Sequence, residues 1–195
     1  FIDFLQQNKL NEKIKHHIDT YESGQQTLAI AGSAIRALIA NGDFTVQQSS
    51  EITQAYQNLS KRIQQNQNDL VNQAPYMASV AVRSSATAED LPEASFAGQQ
   101  ESYLNIIGID NLLKACKECF ASLYTDRAIV YREKQGFEHE KVALSVGIQH
   151  MINSQAAGVM FTLDTETGFD GVVEINGAWG LGETIVKGSV TPDRF

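Results

Sequence analysis

The sequence predicts an α+β fold, with a helical N-terminal lobe followed by a lobe built on an antiparallel sheet. Three observations carry this. Apolar residues recur every three or four positions from Ile14 to Ile63, and again from Leu112 to Leu123, the spacing that gives a helix one apolar face. From Val142 to Ile148 they alternate instead, as in a strand with one face on a core. Beyond Val142, turn signals at Asn153-Ser154, Thr167-Gly168 and the glycines 177, 180 and 182 break the apolar runs into short pieces, each of strand length.

Taken in order, Ile14, Ile18 and Tyr21 form the first stripe, with Asn11 expected as its N-cap. Leu28, Ala31, Ile35 and Leu38 form the second, stopped at Asn41-Gly42. Ile52, Ala55, Tyr56, Leu59 and Ile63 form the third, with Ser49 or Ser50 expected to cap it. The Gln- and Asn-rich stretch from Gln64 to Gln73 reads as a fraying helix end and connector, so the lobes are drawn as 1–75 and 76–195. His16 and His17 are neighbours and point apart on a helix, which makes a solvated pair of them rather than a metal site. The four strands expected in the second lobe run through Val142–Ile148, Val159–Phe161, Val172–Ile175 and Thr184–Lys187. With one face on a core, the sheet's other face is open to a ligand.

The 195 residues suffice for a real core, and the hydrophobic fraction of 43% is ordinary for a globular chain. No apolar run reaches the roughly 20 residues of a membrane span, and the first ten residues do not read as a signal peptide. Fifteen basic against 23 acidic residues leave a net charge of −8, which argues against nucleic acid or an anionic membrane as partner. It leaves room for a nucleotide, which needs positive charge only locally. Cys116 and Cys119 form a CxxC, but they share a helical stripe with Leu112 and Leu123, and no second pair completes a zinc site. Both read as reduced core residues of a cytoplasmic protein.

The stretch around which the chain is organised runs from Val80 to Asn105. It opens and closes as strands, and a long loop of small and hydroxyl-bearing residues lies between them. Ser84, Ser85, Thr87 and Ser95 can donate to anionic oxygens. Arg83 brings a fork of donors suited to phosphate. Strand, small-residue loop and strand, with an arginine at the mouth, suit a lid over a polyphosphate, although the lysine of a P-loop is missing.

The segment VRSSATAEDLPEASFAGQQESYLN closely resembles the signature of the ATP-binding domain of the phosphoenolpyruvate synthase (pyruvate, water dikinase) family. CFASLYTDRAIVYREKQGFEH, GIQHMI and AWGLGETIVKG resemble it further. The resemblance is dense from Val80 to Phe195 and diffuse over residues 1–75. It implies an ATP-grasp-type nucleotide-binding domain, ATP and Mg2+ as cofactors, and a transferase of gluconeogenesis. Such an enzyme turns pyruvate, ATP and water into phosphoenolpyruvate, AMP and phosphate through a phosphohistidine on another domain. The implied partners are that domain and a pyruvate-binding barrel, in a homo-oligomeric full-length enzyme.

On this basis Arg83, Ser84, Ser85, Thr87, Ser95 and Gly98 are the candidate phosphate contacts, and Gln149 and Met151 line the adenine pocket. Glu183 and Glu174 are candidates to support the nucleotide or a metal, with Asp164 a weaker one. Arg127 and Arg132 either reach phosphates or pair with Glu118, Asp126 or Glu133. Neither His139 nor His150 sits in the glycine-rich Thr-Ser-His context of the family's phosphohistidine. The family's upstream Gly-Gly-Lys segment, its downstream Glu and Gln-x-Arg strands and the other two domains are not in this sequence. The expectation is therefore a portion of a larger enzyme that turns over no substrate alone. An ATP domain of a rifampicin-type antibiotic phosphotransferase and a non-catalytic nucleotide-binding module are the competing readings.

Overall fold

The structure, a computed structural model, describes residues 1–66, 76–86, 90–91, 94–95 and 101–195. Four helices come first: α1 (Ile2–Gln7), α2 (Asn11–Glu22), α3 (Leu28–Ala40) and α4 (Val46–Asn66). Strand β1 (Val80–Ala86) follows, then a two-stranded ribbon of β2 (Asp90–Leu91) and β3 (Ala94–Ser95), then β4 (Ser102–Ile106). Helices α5 (Ile109–Ser122) and α6 (Asp126–Gln135) precede β5 (Leu144–His150). The chain continues through β6 (Ala156–Phe161), β7 (Glu174–Trp179), the short α7 (Glu183–Val186) and β8 (Asp193–Arg194).

The chain separates into two compact units, Phe1–Met151 and Ile152–Phe195, so the boundary expected at residue 75 is not where it divides. The helical segment and the strands that follow share cores. In one, Phe4, Ile14, Ile18, Ile35 and Ile39 of the first three helices pack with Phe120, Leu123, Ile129 and Leu144. In the other, Tyr56 and Ile63 of α4 pack with Val80 and Val82 of β1 and with Leu112, Ala115, Cys116 and Cys119 of α5.

Several local signals act as read. Thr125 Oγ1 accepts from the Ala128 N–H at 3.3 Å and starts α6, and Asn41 ends α3. Others differ. The α2 N-cap is Leu10, without a side-chain bond, and Asn11 is already helical. Helix α4 begins earlier than expected because Thr45 and Gln48 form a reciprocal capping box. The Gln48 N–H donates to Thr45 Oγ1, and the Thr45 N–H to Gln48 Oε1, both at 3.1 Å. Ser49 and Ser50 therefore lie inside its first turns, and Ala55 is exposed rather than on the apolar stripe.

The single sheet expected after residue 142 is two sheets. In the first unit β5 pairs antiparallel with β1, from Val80 opposite His150 to Ala86 opposite Leu144, in the strand order β4-β1-β5. In the second unit the order is β6-β7-β8, with Met160 opposite Ile175 and Phe161 opposite Glu174. The strand expected at Thr184–Lys187 is helix α7. Its backbone bonds run from the Val186 N–H to the Gly182 carbonyl and from the Lys187 N–H to the Glu183 carbonyl. Glu183 and Lys187, four apart, pair at 2.6 Å, and Gly188, at φ 64°, stops the turn. The β-branched Thr184, Ile185 and Val186 suggested a strand, but their propensity is a weak guide, and the backbone here closes a helical turn that ends at Gly188.

Candidate nucleotide-binding face

In the β4-β1-β5 sheet, residues directly opposite one another share a face. Arg83 lies opposite Gly147 on one side and Ser102 on the other, Ser85 opposite Ser145, and Ala81 opposite Gln149. Arg83, Ser85, Ser102, Ser145, Gly147 and Gln149 therefore stand on one face. Met151 continues the alternation, its N–H donating to the Ser79 carbonyl at 2.9 Å. The other face carries Val80, Val82 and Ile148 and is covered by α5, with Val80 and Val82 fully buried. One sheet thus has a packed face and a face presenting Arg83, hydroxyls and Gln149.

Candidates far apart in the sequence come together here. Arg83 and Gln149 are brought onto one side of adjacent strands, and both are exposed, as is Ser85, while Met151 is half-buried. Ser84 pairs with Val146 and belongs to the α5 side, so it does not stand beside Arg83. Alternation separates neighbours in a strand, and the row of hydroxyls in the sequence concealed this. Ser95 lies in β3, and Thr87 and Gly98 lie outside the described residues. Ser145 and Gly147 were missed as members of this face. A side chain at Gly147 would sit beside the Arg83 carbonyl, with its Cβ 3.8 Å away.

The two candidate carboxylates lie in the second unit. Glu174 is buried and fully engaged. Asn176 Nδ2 donates to it at 2.8 Å, the Thr165 N–H at 3.1 Å and Thr165 Oγ1 at 3.2 Å, and Arg194 pairs with it at 3.1 Å. These donors, Asn176 first, hold its carboxyl below the usual range. Asp164 caps the turn that follows it, accepting from the Glu166 N–H and Thr167 Oγ1, both at 2.9 Å. Arg194 also reaches Asp164 at 3.0 Å and Glu166 at 3.1 Å. Glu183 is tied to Lys187.

Arg132 takes neither course expected of it. It is 1% exposed, and its Nε donates to His139 Nδ1 at 2.9 Å. Its guanidinium lies 5.3 Å from the centre of the Tyr124 ring, while Nη1 and Nη2 have no hydrogen-bond partner. Burial lowers its pKa to about 10. Cys116 and Cys119 are buried on α5, and burial raises their thiols to about 11 and about 12. Among the described residues no helix is long and apolar enough to cross a membrane.

Residues 1–195 match the family described as "Pyruvate phosphate dikinase, AMP/ATP-binding domain" over their whole length. Three curated relatives, each called phosphoenolpyruvate synthase, are close in sequence. The chain is 53% identical to that of Pseudomonas aeruginosa, 51% to that of Aquifex aeolicus and 50% to that of Escherichia coli. These matches cover 99%, 98% and 100% of this chain but only 23%, 22% and 24% of the relatives. An open sheet face with an arginine, serines and a glutamine, in a chain matched from end to end, has a plain consequence: the chain belongs to the pyruvate phosphate dikinase AMP/ATP-binding domain family.

Proposed function

We propose that this chain is the ATP-gripping part of an enzyme that makes phosphoenolpyruvate from pyruvate, ATP and water, releasing AMP and phosphate. Of the two phosphoryl groups that leave ATP as AMP is released, one goes to water as phosphate and the other passes through a histidine on another domain to pyruvate. One observation carries the reading: Arg83 and Gln149 stand on the same open face of adjacent strands. Arg83 and Ser85, with Thr87, Ser95 and Gly98 further along the chain, hold the phosphates, and Gln149 and Met151 meet the adenine in an ATP-grasp-type arrangement. Phosphoryl transfer asks little covalent chemistry of such a domain. Its contribution is to position the polyphosphate and to oppose its charge.

Magnesium brought with ATP would supply positive charge against the phosphates. Glu174 does not fit as its ligand, because its oxygens are already filled by Asn176, Thr165 and Arg194. Glu183 has Lys187 as its counter-charge. The reading also implies a cytoplasmic, homo-oligomeric enzyme.

The test is Arg83→Ala in a full-length enzyme carrying this chain. Loss of one charge-assisted phosphate contact in a dry site raises the barrier to ATP-dependent histidine phosphorylation by roughly 2–4 kcal/mol. Phosphohistidine formed at the parental rate by the purified variant would make Arg83 a structural residue and remove the basis of the reading.

A further inference from the structure

Gly147 stands in the middle of β5, exposed and directly opposite Arg83. A glycine inside a strand weakens it, because it gives up the most chain entropy and packs nothing. Three local causes of such a glycine are absent here. Its φ is not in the left-handed region. The ladder from Val80 opposite His150 to Ala86 opposite Leu144 runs without a shift, so Gly147 marks no bulge. A Cβ on it would make an ordinary contact with the Arg83 carbonyl, 3.8 Å away, and would meet nothing else within 4 Å among the described residues beyond its chain neighbours. Gly158 of β6 differs, since the Asn176 carbonyl lies 2.8 Å from where its Cβ would be.

The glycine leaves a gap in the face that carries Arg83. Its neighbours on that face of β5 are Ser145 and Gln149, each two residues away and so roughly 6–7 Å from it along the strand. The Ser145 hydroxyl donates to the Ser85 carbonyl across the pair at 3.3 Å. Between Ser145 and Gln149 the floor is bare backbone, roughly 13 Å long, with Arg83 beside it. A strand glycine that no local cause requires suits the close approach of a ligand to the backbone. The adenine end at Gln149 and the phosphate end at Ser85 lie on either side of the gap. The part of a nucleotide that crosses it is the ribose with its first phosphate.

We propose that Gly147 is the floor of the nucleotide site, and that the ribose and first phosphate of ATP lie on its backbone beside Arg83. The inference rests on the reading of Arg83 and Gln149 as phosphate and adenine contacts. A side chain at position 147 then excludes the nucleotide while suiting the strand, since β-branched residues fit extended chain. Affinity falls while stability holds or rises, a combination that a merely structural glycine does not give.

In a full-length enzyme carrying this chain, Gly147→Val is expected to raise the KM for ATP about tenfold with a smaller change in kcat. Its urea midpoint should match or exceed the parent's. AMP, which keeps the ribose and first phosphate, should weaken as a competitor of ATP by a similar factor. Arg83→Ala is measured alongside. If Arg83→Ala binds Mg-ATP at parental strength, the phosphate reading fails. If it loses binding while Gly147→Val keeps the parental KM, the role of Gly147 alone fails. A midpoint that falls together with the affinity would make Gly147 structural, and unchanged competition by AMP would put the ribose elsewhere; either result overturns the proposal. The double variant separates filling the gap from pushing Arg83 aside. Arg83→Ala with Gly147→Val should bind ATP more weakly than Arg83→Ala alone, and equal binding would overturn the proposal. Should Gly147→Val not fold, Gly147→Ala carries the same comparisons with a smaller shift, and a parental KM there counts against the proposal.

Discussion

Arg132 and His139 are the plainest case of a role decided by one hydrogen bond. Arginine nitrogens only donate, so His139 Nδ1 is an acceptor and the imidazole proton sits on Nε2. Glu22 lies 3.9 Å from that nitrogen, and Glu22, Glu133 and His139 offer ligand atoms within 4.8 Å of one another. A metal there would need the Nε2 lone pair and would move the proton to Nδ1, against the Arg132 N–H. The group is therefore not a metal site. Burial, and then Arg132, lower the His139 pKa to about 4 from its ordinary 6.5. The folded value lies below the unfolded one, so the unfolded chain takes up this proton first as the pH falls. The stability contributed by neutral His139 is complete above about pH 6.5 and is lost progressively between 6.5 and 4. His139→Gln keeps an acceptor for Arg132 without the titration. The parent's urea midpoint should exceed the variant's near neutrality, by a margin that shrinks as the pH falls towards 4. A constant margin over that range would contradict this account.

Helix α4 matters at the scale of elements because its Tyr56 and Ser60 side chains bond the Ala78 carbonyl and N–H, just before β1. Its start depends on the Thr45–Gln48 box, since the first N–H groups of a helix have no partner within it. Thr45→Ala is expected to destabilise the first unit by about 1 kcal/mol, and Thr45→Ser to lose much less. Urea denaturation of the two variants tests this, and equal midpoints for both would show that the box is incidental. The sheet it supports illustrates how far local pattern can be read. The alternation of Leu144, Val146 and Ile148 identified β5 correctly. Its partner β1 lies far back in the chain, behind two helices, and nothing in the period of a strand names its neighbour.

For the whole molecule, the two units differ in what they bury. Both core clusters lie in Phe1–Met151, whereas Glu174 is the one buried residue from 152 to 195. In the second unit Met160, Ile175 and Phe195 stand in a row across β6, β7 and the end of β8, and are 64%, 41% and 76% exposed. Little apolar area is removed from water there, so little holds that sheet closed. Residues 1–151 alone should unfold cooperatively in urea. In the whole chain, amides of β6 and β7 should exchange through openings of lower free energy than those of β1 and α5. A broad, non-cooperative transition for 1–151, or equal protection in both sheets, would refute this.

The sequence by itself determined the elements that rest on short-range physics. These are the helical stripes of α2, α3 and α5, the Thr125 cap, the stop at Asn41, the alternation of β5 and the burial of both cysteines. It also determined the family, because Val82–Asn105 is a long specific signature. It misread Thr184–Lys187, whose β-branched residues lie in a helical turn that ends at Gly188. Tertiary structure alone decided which strands pair, and so which residues share a face. Arg83 and Gln149 became neighbours, and Ser84 was turned away from Arg83. Tertiary structure also buried Arg132 against His139 and gave Glu174 its full set of partners. The reason is physical: a residue's period along the chain fixes which way it points relative to its neighbours, whereas what it meets there is supplied by segments that no local pattern specifies.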